Sequence, residues 1–166
     1  MANWSHNVRD NQWYGLNTDS LGVDQYTFAN LDQTTTSATM RLNYTFTPNV
    51  SLQAYAQPFV SKGTYTSVKQ LSATPRAKAY DDRYAPFADS SVTNDPGGFN
   101  FKALQSNLVF RWEYAPGSTL FAVWNHGRQG YDGTAGTKSF EGDVRDLFSL
   151  HPSNTFLIKM SYWLNR

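Results

Sequence analysis

Arg41, Arg111, Glu113 and Lys159 are the side chains best suited to chemistry in this sequence, and each sits in an alternating stretch between apolar neighbours. Asn43, Gln53, Gln57, Gln105 and Asn107 stand in phase with them. Charges and amides in that pattern line water. They either select ions in an open lumen or pair with one another and plug it. Facing lipid instead, a mid-membrane Arg or Lys would cost about 2–4 kcal/mol. Catalysis draws less support. His6, His126 and His151 are far apart, and none stands in a metal-ligand spacing. His126 with Asp132 imitates a hydrolase site only if a loop serine joins them. The acids around Tyr80-Asp81-Asp82-Arg83-Tyr84 lack the regular spacing of a calcium loop, and no cofactor is expected. Tyr55, Phe59, Tyr80, Tyr84 and Tyr131 offer rings for stacking on sugars, although interfacial aromatics need no ligand to explain them.

The elements that must position these residues are strands. From Thr35 to Phe59 two alternating arms fold about Thr47-Pro48-Asn49, where Pro presets φ and Asn tolerates a left-handed backbone. Ala38, Met40, Leu42, Tyr44 and Phe46 fall on one face of the first arm, with Arg41 and Asn43 on the other. Each arm is near the roughly 9–11 residues that a tilted strand needs to cross a bilayer. A second hairpin, Ala103 to Tyr114 and Ser118 to His126, repeats the plan about Ala115-Pro116-Gly117. Tyr44 and Phe46, and Trp112 and Tyr114, precede the two turns, where an interfacial aromatic girdle would lie. A last strand alternates from Phe156 to Leu164, bringing Lys159 to the polar side and Tyr162 to the girdle.

Weaker strands are expected at Asn11–Leu16 and Val23–Leu31, making about seven or eight in all. Residues 70–99 and 127–154 read as long loops, the second with a short helical turn at Asp143–Phe148. The short turns then share one side with the carboxyl terminus, the periplasmic side of a barrel, and the long loops lie outside the cell. The chain has 166 residues and is read as a single segment, 1–166. It has no cysteine, 16% aromatic and 16% charged residues, and a net charge of +1 that leaves no footprint for nucleic acid. Mean hydropathy is negative, as it is for any alternating barrel. No secretory leader opens the sequence, and seven strands leave edges that a membrane does not tolerate. The expected fold is therefore an antiparallel transmembrane β-barrel, or the carboxyl-terminal portion of a larger one. Further strands would come from a longer chain or another subunit.

Several ordered strings carry a resemblance. They are Asn11-Gln12-Trp13, Leu31-Asp32-Gln33, Arg41 to Asn49, Ser51 to Phe59, Phe99-Asn100-Phe101, Ser106 to Tyr114, Pro116 to Phe121 and Ser161-Tyr162-Trp163. In these the chain resembles the carboxyl-terminal barrel region of a family of large outer-membrane proteins with a domain of unassigned function. Members typically begin with a family-nine-like carbohydrate-binding module. Asn165-Arg166 depart from the terminal aromatic usual in such barrels. The resemblance implies a bacterial outer-membrane location, contact with outer-membrane lipid, and a glycan as possible ligand. Passive transport, reception or surface display is the expected role. The alternatives are a barrel hydrolase acting on lipid or glycan, and a soluble β-barrel binder.

Overall fold

Val, Thr, Tyr and Phe fill the alternating stretches and favour a pleated backbone, and the chain forms strands along most of its length. The computed structural model describes residues 1–164, the Ser90 side chain apart, so the Asn165-Arg166 ending lies outside the described residues. The strands are β1 (Ala2–Thr18), β2 (Asp24–Ala38), β3 (Met40–Thr47), β4 (Val50–Leu71), β5 (Tyr84–Pro86), β6 (Gly98–Ala115), β7 (Ser118–Asp132) and β8 (Ser153–Ser161). Two short helices, α1 (Ser90–Asn94) and α2 (Phe140–Leu147), lie in the connections.

All eight strands belong to one antiparallel sheet with the order β1-β2-β4-β6-β7-β8. The fold is all-β, as expected. The sheet is not closed, because among the described residues β1 pairs only with β2 and β8 only with β7. At its centre β4 spans 22 residues, about 70 Å at a rise of about 3.3 Å per residue, far more than a bilayer's hydrocarbon. Its upper half pairs with β2 and its lower half with β3. Thus β2 and β3 are two halves of one ribbon, broken only at Thr39. The Met1 ammonium donates to the Thr39 carbonyl at 2.8 Å and the Thr39 N–H donates back to the Met1 carbonyl at 2.6 Å. Beyond Gly98, β5 takes over from β6 as the partner of β4.

Three expectations differ from this architecture. The weak strands expected at Asn11–Leu16 and Val23–Leu31 are long ones, and Asp32-Gln33-Thr34, where the alternation lapses, is continuous strand. Ladder hydrogen bonds, rather than a buried face, hold that region. Asn49 does not take the left-handed conformation; Gly117 does, with φ of 75°, and the first turn instead closes through a register shift between Thr45 and Thr47. The helical turn expected from Asp143 begins at Phe140, because Ser139 caps it by accepting the Gly142 N–H at 3.2 Å.

Little of the sheet is covered. A small core of Ala29, Val68 and Phe87, joined by Tyr14, Tyr65 and Val92, closes the top beneath residues 72–97. Leu147 is fully buried under α2, whereas Ile158 is 74% exposed on bare sheet. At the β4–β6 crossing Gly98 lies against the Gly63 carbonyl, where a Cβ has no room. Gly98→Ala should lower stability by about 1–3 kcal/mol, measured as a reduced unfolding midpoint, whereas Gly133→Ala, where an added Cβ meets nothing and φ is not left-handed, should cost less.

Candidate functional site: the polar face of the sheet

The register of the lower sheet sets its chemistry row by row. Leu42, Ala54, Leu108, Trp124 and Phe156 form one cross-strand row; Tyr44, Leu52, Phe110, Ala122 and Ile158 form the next. Val50, Trp112, Leu120 and Met160 follow toward the short turns. All of these share one face. Trp124 and Phe156 stack at 5.9 Å with their planes 4° apart, forming a second aromatic level in the row of Leu108, about 20 Å along β6 from Tyr114. At the lower level Tyr44 meets Phe46 edge-on at 4.7 Å and Trp112 meets Tyr114 at 5.9 Å, while the Tyr114 hydroxyl donates to the Ser161 carbonyl. Tyr162 lies just past β8 and is exposed.

The opposite face collects Arg41, Asn43, Gln53, Gln57, Gln105, Asn107, Arg111, Glu113 and Lys159. Arg41 lies over the Tyr55 ring at 5.6 Å, and the Tyr55 hydroxyl donates to Gln57 Oε1 at 2.7 Å. Asn107 Nδ2 donates to Asn125 Oδ1, joining β6 to β7. Arg111 pairs with Glu113 on its own strand at 2.9 Å, and Glu113 also accepts the Gly117 N–H at the turn. Lys159 shares a row with Arg111, with Phe121 between them. Not all of this face is polar, since Val109, Val123 and Leu157 form an apolar row across it beside Gln53 and Asn43. A period of two assigns faces, but it does not reveal which strangers meet across strands.

His126 is hydrogen-bonded through both ring nitrogens. Asn154 Oδ1 accepts from Trp124 Nε1 at 3.0 Å and from His126 Nδ1 at 2.9 Å, which fixes the imidazole proton on Nδ1. Arg128 Nε donates to the other nitrogen at 3.1 Å, so neither nitrogen of His126 is free to act as a base. Asp132 faces Lys102 at 3.1 Å instead. Among the loop aromatics Tyr80 and Tyr84 hold the Lys69 ammonium against their rings, at 5.3 and 4.7 Å. Phe59 packs edge-on against Phe101 at 6.1 Å, and Tyr131 is exposed. Among the described residues no helix is long and apolar enough to cross a membrane, a fact that has no bearing on strands.

A family described as a domain of unknown function (DUF5916) matches residues 1–165. The chain belongs to the DUF5916 family. No curated protein and no solved structure matches it. In this DUF5916 chain the residues that sequence reasoning missed form a clamp where α2 meets the upper sheet, on the face of the apolar rows. Lys62, Asn100 and Asp132 share a row there, and Lys102 comes down from β6 beside them.

Asp143 of α2 is fully buried against that row. Its Oδ2 meets Lys62 Nζ as an ion pair at 2.5 Å, and its Oδ1 accepts from Asn100 Nδ2 at 2.9 Å and lies 3.5 Å from Lys102. Lys102 also reaches Asp132 and Asp146, and Lys138 pairs with Asp146 at 2.5 Å. The helix's last carbonyls and the turn after it are gathered by Arg128 Nη1, which donates to Leu147, Phe148 and Leu150. Lys62 and Lys102 had no visible role in the alternation, and only their meeting with a helix 40 or more residues away assigns one.

Burial alone would raise the Asp143 carboxyl. The Lys62 and Asn100 hydrogen bonds and the nearby Lys62 and Lys102 cations outweigh it and hold Asp143 below its ordinary 3.8. Lys138 and Lys102 hold Asp146 below its ordinary value in the same way. A depressed folded pKa gives stability that is present above pH 3.8 and is lost as pH falls through the lower folded value. Residues 133–152 should thus become protease-sensitive below about pH 4, before the sheet unfolds. Asp143→Ala should release α2 at neutral pH, costing about 3–5 kcal/mol of local stability by hydrogen exchange, because it leaves Lys62 without its carboxylate while Lys102 keeps Asp132 and Asp146.

Proposed function

We propose that this chain is a section of the wall of a bacterial outer-membrane β-barrel, with its polar face lining an aqueous interior and its apolar face against lipid. Its role is passive transport or reception tied to glycan handling. One observation carries the reading: through the lower sheet one face is apolar row after row, the other holds all the charges and amides, interrupted by Phe121 and the row of Val109, Val123 and Leu157, and among the described residues the apolar face is left largely bare. In water a bare surface of Leu, Ile, Phe, Trp and Met in unbroken rows is an aggregation surface, whereas in hydrocarbon it is the stable arrangement. On β6 the apolar side runs from Leu108 to Tyr114, about 20 Å along the strand, or about 15 Å in height at a tilt of about 40°, within the apolar band of about 25 Å in such barrels. Aromatic levels bound it at both ends, as girdles do. The family resemblance supports the glycan connection.

Outer-membrane lipid is one partner under this reading, and further strands are the other. Each unpaired backbone group in hydrocarbon costs several kcal/mol, and the outer edge of β8 and the edge of β3 away from β4 offer rows of them. A strand in line with β1 would cover β3, since the Met1–Thr39 bonds already point the pairing that way. Such strands would come from a longer polypeptide or from another subunit.

Neighbouring positions on β8 test the wall. Ile158→Lys, on the lipid side, should lower folding stability in lipid vesicles by about 2–4 kcal/mol, and Leu157→Lys, on the water side, by much less. Equal costs would overturn the two-faced wall. In planar bilayers Arg111→Ala frees Glu113 from its partner and should move ion selectivity toward cations.

A further inference from the structure

On the polar face, above the Arg111–Glu113 pair, the sheet has a depression of about 370 Å³, within the range of about 300–1,000 Å³ typical of small-molecule sites. Tyr55, Gln105, Asn107, Asn125, Ser153 and Thr155 line it from this face. A second depression adjoins it over Gln105, Gly127 and Ser153, and extends to Arg128, Gln129 and His151. Gly127 creates the gap, standing in the row between Gln105 and Ser153 with no side chain. Neither backbone nor packing demands a glycine there. Its φ is not left-handed, and an added Cβ would meet only the Leu104 carbonyl, at an ordinary 3.9 Å.

We propose that this depression is a binding site for a neutral oligosaccharide, one sugar unit of which enters the gap at Gly127. This rests on the reading of the polar face as water-facing. Every side chain that this face gives to the first depression is uncharged. The nearest cations in the rows are otherwise engaged, Arg41 over the Tyr55 ring and Arg111 with Glu113. In the first depression an ionic ligand would find no counter-charge on this face, and an apolar one would leave amides unpaired.

Sugar hydroxyls both donate and accept, and so do the groups offered. The Asn107–Asn125 bond uses one donor and one acceptor and leaves Asn125 Nδ2 and Asn107 Oδ1 to face a ligand. Tyr55 spends its hydroxyl hydrogen on Gln57 Oε1, outside the lining. Gln105, Ser153 and Thr155 make no side-chain hydrogen bond among the described residues, and the Tyr55 ring supplies a flat apolar surface for a pyranose.

The test uses the full chain folded into vesicles or detergent, with maltohexaose, cellohexaose and chitohexaose as probes and dextran sulfate as the charged comparison. Saturation-transfer NMR and calorimetry should show binding of at least one neutral hexasaccharide, insensitive to salt. Gly127→Trp should weaken it about tenfold or more, as should the Gln105→Ala/Asn125→Ala double variant, whose smaller side chains leave the strand pairing intact. Protease protection in vesicles reports insertion separately. Inserted protein that binds none of the three, binds them undiminished in both variants, or prefers dextran sulfate overturns the site. Protein that binds a neutral hexasaccharide but does not insert keeps the site and overturns the membrane wall.

Discussion

Hydrogen bonding between β4 and β6 runs from Val50 opposite Trp112 to Thr64 opposite Gly98 without a bulge. Because side chains alternate with a period of two, a single skipped residue in that ladder would exchange the faces of everything beyond it. No residue is skipped, so Arg111 and Tyr55 share a side with Phe59 and Phe101, and Phe110 shares a side with Lys62 and Lys102. The pairings of β7 and β8 extend the same parity outward. Irregularities are confined to the turns and to the upper parts of β1, β2 and β4, where Ser67 has a φ of 53°. The separation of greasy and wet surfaces in the lower sheet is a consequence of backbone register before it is one of side-chain packing.

This explains which parts were legible in the residues alone. Where one face is apolar, as from Met40 to Phe46 or from Leu108 to Tyr114, alternation reports both the strand and its sides. Above the apolar rows both faces are polar or covered by loops, so the pattern fades while the ladder continues. Residues 2–10 and 32–34 carry no alternation and are strand nonetheless. The polar face could be assembled residue by residue from parity. Its apolar row of Val109, Val123 and Leu157, and the gap at Gly127, could not, because each depends on which residues of different strands stand opposite one another. Asp143 was least legible of all: a loop acid in sequence, a buried ion-pair partner in space.

The molecule uses two different means to hold itself together. In the lower sheet almost nothing is buried by the chain itself, and backbone hydrogen bonds with cross-strand contacts carry the order. In the upper part a small aromatic and aliphatic core joins residues 72–97 to the sheet, and a charged cluster joins α2. Charges are suited to the second task. A buried pair adds little to net stability against a hydrophobic substitute, but it penalises any placement of α2 that leaves Asp143 without Lys62, and so fixes where the helix sits.

Under the proposed reading of the chain as a barrel wall, that placement bears on how wide an opening the wall would border. Connections between barrel strands that fold inward narrow the passage, and the segment between β7 and β8 is long enough to do so. Here its helix is bonded to Lys62, Asn100 and Lys102, side chains that point away from the amide-lined face. For α2 to serve as a constriction it would first have to abandon Asp143's partners and turn around the edge of the sheet. In a wall whose polar side looks inward, this segment stands outside like a buttress, and the aperture beside β7 and β8 is left to be set by the side chains of the strands themselves.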